Sequence, residues 1–106
     1  MTGIVHEWRR LSDKFADTNG RACAAAEEAK AAMQVDAERG IPYSPLTVAK
    51  FDRAVDLLDE ARQLMSQLIE VHTKLFPDDR KIFEVKAMVE SSVEKIEAYR
   101  DQLHPD

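Results

Sequence analysis

His72, Arg62 and Cys23 are the side chains of this sequence with the widest chemical reach, beside two runs of carboxylates at helical spacing. His72 falls on the apolar stripe of a helical segment, where it is either a ligand or general base, or a hydrogen-bonded boundary residue. A di-metal carboxylate bundle needs Glu-x-x-His pairs on facing helices. The residue three before His72 is Ile69, and three before His6 it is Gly3; His104 stands near the C-terminus. The hydrogen-bonded role is therefore the expected one, since polar groups near cores are generally paired. Arg62 occupies a seam position otherwise held by Val48, Val55, Ile69 and Phe76. It either snorkels, its stem covering apolar surface, or makes an ion pair at an interface. Cys23 has no nearby histidine in the pattern to activate it, and it is expected to be a small packing residue.

The carboxylates form two stripes, Asp52, Asp56 and Asp59 on one segment and Glu90, Glu94, Glu97 and Asp101 on another. Basic residues intersperse both, and Ca²⁺ loops place their ligands differently. The stripes read as solvated faces, with no metal and no cofactor expected. Their other reading is a phosphate mimic that fills the basic cleft of a nucleic-acid enzyme. No phosphate-binding glycine loop, nucleophile elbow or paired acid/base site is present in the sequence. The most interface-like cluster is Ile4, Val5, Trp8 and Arg9, with Arg62 as a further candidate, because Trp and Arg dominate binding hot spots.

The whole chain bounds these options. It has 106 residues, one domain's length, with 44% apolar and 33% charged residues. The net charge is −5, the opposite of the basic footprint that direct nucleic-acid binding needs. An anionic membrane surface is disfavoured for the same reason. One cysteine allows no internal disulfide. No leader-like pattern opens the sequence, and no apolar run approaches the roughly 20 residues that span a bilayer. A cytoplasmic location is expected.

Three helical segments must position these side chains, at about 3–39, 45–76 and 79–103. The first break, "ERGIPYSPLT", offers Gly40 as a left-handed C-cap with Ile41 folding back toward Val35. Ser44 then serves as N-cap with Pro45 at the first helical position. In the second break Pro77 stops a helix, and Asp78 or Asp79 caps the next. The middle segment carries Phe51, Ala54, Leu58, Ala61, Met65, Leu68 and His72 at alternating spacings of three and four. Apolar flanks on both sides of that stripe place this helix between two neighbours. The last segment carries Ile82, Val85, Val89, Ser92, Ile96, Tyr99 and Leu103 on one stripe.

The first segment holds its phase through Asn19-Gly20, from Ile4, Trp8, Leu11 and Phe15 to Ala22, Ala25 and Ala29. A turn would reset that register, so one continuous helix is expected; a break there gives a four-helix variant. The expected fold is thus an all-α, antiparallel up-down-up bundle of three long helices in a single domain. The lengths, about 54, 46 and 37 Å, leave helix 1 overshooting helix 2 by about 8 Å. The overhanging Ile4, Val5 and Trp8 either pack on another chain or cover the loop around Phe76 and Pro77. With the broad apolar arc of helix 2, the overhang favours a homodimer.

The function expected from this pattern is non-enzymatic: a regulatory, inhibitor, immunity or chaperone-like protein that binds another protein. A variant is an acidic inhibitor of a nucleic-acid enzyme, of the phage anti-defence type. The alternative of another class is a small dimeric all-α enzyme with an intrabundle site around Arg62 and His72.

Overall fold

The computed structural model describes residues 2–103, with Thr2 placed by its backbone alone. His104 lies outside the described residues. Three helices follow in order: α1 Thr2–Glu38, α2 Pro45–Leu75 and α3 Lys81–Leu103. The molecule is a rod of 58 × 21 × 19 Å, its long dimension set by α1.

Helix α1 runs unbroken through Asn19-Gly20, so the four-helix variant does not form. Among the described residues only Gly40 has positive φ. Gly20 sits in ordinary helical geometry, where one glycine costs about 1 kcal/mol relative to alanine and does not stop a phased apolar stripe. Gly40, at φ 72°, ends α1. The N–H of Ile41 donates to the Asp36 carbonyl (2.9 Å) and that of Gly40 to the Ala37 carbonyl (3.1 Å), which satisfies two orphan carbonyls of the last turn. Helix α2 starts at once: the Ser44 hydroxyl accepts from the Thr47 N–H at 3.2 Å, and Pro45 fills the first position.

Helix α2 is the central element. Phe51, Ala54, Leu58, Ala61, Met65 and Leu68 are buried along its middle, with Val55 on one flank and Leu57, Leu64 and Val71 on the other. α1 packs on one side and α3 on the other, both antiparallel to α2 and therefore parallel to each other. The alanines of α1 face the bulky end of the bundle. Ala22 and Ala29 are fully buried, and beyond them Phe51 meets Tyr99 with ring centroids 5.8 Å apart. Small residues opposite large ones keep the core filled while the axes stay close.

The stripe of α3 differs from the expected one. Val93 is buried where Ser92 was expected, and Val85 is 39% exposed. α1 and α3 barely approach one another. α3 therefore buries the row Ile82, Val89, Val93, Ile96 and Leu103. The row of Val85, Ser92 and Tyr99, a seven-residue repeat on the α1-facing side, overlooks an open groove. Among the described residues, no helix is long and apolar enough to cross a membrane.

Candidate functional site

The space between α1 and α3 is widest where the first turns of α1 pass the α2–α3 loop. It encloses about 320 Å³ between Trp8 and Phe15 of α1, Met65 and Leu68 of α2, and Ile82 and Val85 of α3. At its end Trp8, His72 and Asp79 form a hydrogen-bonded chain. Nε1 of Trp8 lies 3.0 Å from Nδ1 of His72, and Nε2 of His72 lies 2.8 Å from Oδ2 of Asp79. An indole N–H only donates, so Nδ1 is the acceptor and carries no proton. Nε2 then holds the proton and donates it to the carboxylate. The other oxygen of Asp79 accepts from the Lys81 N–H at 2.9 Å and caps α3. The hydrogen bond from His72, followed by that from the Lys81 backbone, holds the Asp79 carboxyl below its usual range.

This chain locks the overhang of α1 in place. The Trp8 ring meets Phe76 edge-on at 5.5 Å, and His72 lies 4.9 Å from the same ring. Of the two destinations open to the overhang, the structure has the one within the chain: Trp8 covers the loop after α2. Ile4 packs partly buried against the core, while Val5 and Arg9 are exposed. The broad arc of α2 is likewise covered, by α1 and α3. Trp8 and the broad arc of α2 are thus covered within the chain, whereas Val5 of the overhang stays exposed.

Arg62 stands ten residues from His72, about 15 Å along the helix, and belongs to a different cluster. Its guanidinium lies 2.9 Å from Asp59 and 3.8 Å from Glu90, bridging α2 and α3. The structure does not bring Arg62 and His72 into one site. It does bring the two acidic stripes side by side, joined through Arg62. Asp56, Glu94 and Asp101 are exposed beyond it, and Glu97 is half-buried; Asp101 pairs with Arg100 at 3.8 Å. Asp52 is exposed as well. Cys23 is exposed rather than packed, on the wall of a second, smaller depression between α1 and α3 with Ala26, Leu58, Ser92 and Ile96. It stands one position outside the alanine stripe, and α3 is too distant there to cover it. Among the described residues, no three of His, Cys, Asp and Glu are placed to hold a metal ion.

Two features went unread in the sequence. Asp36 is buried, and its Oδ2 accepts from the Thr47 hydroxyl (2.7 Å) and the Ser44 N–H (3.0 Å). The hydrogen bond from Thr47, then that from Ser44, lowers its carboxyl below the usual range. The second is an apolar patch around the first loop, where Val35, Ile41, Tyr43 and Leu46 are exposed together. Val35, Ile41 and Leu46 line a shallow depression of about 530 Å³. No protein-family model, curated protein or solved structure matches the chain.

Proposed function

We propose that this chain is a non-enzymatic protein-binding module that docks another protein along the α1–α3 groove. One observation carries the reading: Val85, which lines the groove, and Met88, one turn further along α3 and outside the lining, stand at 39% and 69% exposure. Large apolar side chains gathered along a concave strip on a small protein mark an interaction surface. The Trp8–His72–Asp79 chain supports binding over catalysis. A general base needs a nitrogen free to take a substrate proton, and both nitrogens of His72 are engaged within the protein. The acidic ridge is the weaker candidate, because Arg62 already neutralises Asp59 and Glu90 at its centre.

The test is affinity capture from the source cell with the wild-type chain and with Met88→Glu. Met88 is exposed, so the substitution leaves the fold intact, which circular dichroism checks. The expected result is a partner retained stoichiometrically by the wild type and lost by the variant. Retention of the same partner by both proteins, or of none by either, overturns the reading.

A further inference from the structure

We propose that the Trp8–His72–Asp79 chain is an acid-operated latch: a proton taken up by His72 releases the first turns of α1 while α2 and α3 stay joined. The latch concerns contacts within the chain and is independent of any partner in the groove.

The imidazole is bonded at both nitrogens, with opposite polarity. Nδ1 accepts from the Trp8 indole at 3.0 Å, and Nε2 donates to Asp79 at 2.8 Å. A neutral imidazole has one acceptor and one donor, whereas the cation has two donors and no acceptor. With Nε2 already protonated, the incoming proton goes to Nδ1 and sets one N–H against another. The indole has no acceptor to offer in exchange, and no rotation of the cationic ring restores one. At Nε2 the same event does the reverse: the hydrogen bond to Asp79 becomes charge-assisted at both ends, and such bonds are the stronger kind. One proton thus breaks the tie to α1 and tightens the tie to the loop before α3.

The first turns of α1 are held lightly enough to respond. From Gly3 to Arg10 no side chain is buried, and Leu11, at 1% exposure, is the first that is. Ile4 and Trp8 alone among these residues pack on the core, both of them partly exposed. The other contact of the indole is edge-on with Phe76, itself 44% exposed. Leu11 therefore marks where release stops. Few apolar contacts hold the segment before it, which is where local opening is easiest.

The charges around the imidazole fix the direction. Asp79 of the loop and Lys81 of α3 line the same recess, and α1 contributes Trp8, Ser12 and Phe15, none of them charged. Glu7, Arg9 and Arg10 of α1 and Lys74 of α2 are exposed outside that lining. Asp79 is held below the usual carboxylate range by its hydrogen bonds. It stays charged while an imidazole titrates, and so does a lysine.

The experiment follows the full chain by nitrogen NMR from about pH 8 to about pH 5, the span in which histidine changes charge. It reads the His72 imidazole and the indole N–H of Trp8, the single tryptophan. Both should change with one midpoint. The docked-to-released ratio, read from the exchange protection of the indole N–H, should fall about tenfold on protonation, as loss of a hydrogen bond with an unpaired donor left behind implies. Amide protection in the middle of α2 should stay unchanged. His72→Gln offers an oxygen acceptor and an N–H donor without titrating, and should abolish the response; His6→Gln/His104→Gln should keep it. Where His72→Gln does not fold, the two wild-type curves decide. An imidazole that protonates with indole protection unchanged overturns the latch, as does one still neutral at about pH 5. So does a response that persists in folded His72→Gln, or one in which α2 loses its protection at the same midpoint.

Discussion

The indole N–H of Trp8 donates to Nδ1 of His72 at 3.0 Å across 64 residues of chain. This one bond ties the start of α1 to the end of α2 and fixes the imidazole tautomer, which in turn aims Nε2 at Asp79. Trp8→Phe keeps an aromatic ring beside Phe76 and removes only the donor and part of the ring. It should cost about 1–2 kcal/mol, the value of a hydrogen bond plus some lost packing. Nitrogen NMR of the imidazole checks the cause: the wild type should show the Nε2–H tautomer at neutral pH, and Trp8→Phe a mixture. A predominant Nδ1–H form in the wild type would refute the chain of bonds.

Asp36 and Asp79 both have folded-state carboxyls lowered by hydrogen bonds. The sign follows from linkage. A carboxylate whose folded pKa lies below its unfolded value takes up a proton more readily in the unfolded chain, so stability is complete above about pH 4 and falls as pH drops further. Asp36→Asn and Asp79→Asn should each lower stability at neutral pH and flatten the acid limb. Urea midpoints measured down the acid range test this; an acid limb as steep in the double variant as in the wild type would exclude these two residues as its source.

Gly20 and Gly40 should respond to alanine with opposite signs. Gly20 is helical, and a Cβ built there meets nothing within 4 Å. Gly20→Ala should stabilise by up to about 1 kcal/mol. Gly40 holds φ at 72°, so Gly40→Ala should destabilise by about 1–2 kcal/mol despite equally open space. Thermal melts of the two variants suffice, and a destabilising Gly20→Ala would contradict an unbroken α1.

What the sequence made legible was what periodicity and caps encode. The unbroken phase from Ile4 to Ala29 announced one long helix, and Gly40, Ser44 and Pro45 announced the first turn. Asp36 was not legible, because a carboxylate one turn before a C-cap looks like any solvated charge until the next helix brings Thr47 over it. Val93 was missed for another reason. The stripe through Val85, Ser92 and Tyr99 suits a helix that touches two neighbours, whereas α3 touches mainly one and rotates its contact row by a residue. His72 was legible as a boundary histidine, but its partners were not, since neither Trp8 nor Asp79 is near it in a helical repeat.

Arg62 is half-exposed between Asp59 and Glu90, and exposed ion pairs contribute little, about 0–1 kcal/mol. Its stem also covers the α2–α3 seam, so Arg62→Met, which keeps that apolar length and continues the row of Val55 and Ile69, should change stability by no more than about 0.5 kcal/mol. A double-mutant cycle with Glu90→Gln should give a coupling within the same small range. A coupling of several kcal/mol would mean that the bridge, rather than apolar packing, docks α3.

The first half of α3 should be much less protected than the middle of α2. From Lys81 to Met88 only Ile82 is buried, whereas α2 buries a residue in every turn from Phe51 to Val71. Local opening is easiest where few apolar contacts hold the backbone. Amide hydrogen exchange should therefore be faster in 83–88 than in the middle of α2. The same segment carries Val85 and Met88, so a partner docked against them should slow exchange there more than anywhere else. Equal protection of 83–88 and the centre of α2 in the free protein would show that α3 is held by more than its single buried row.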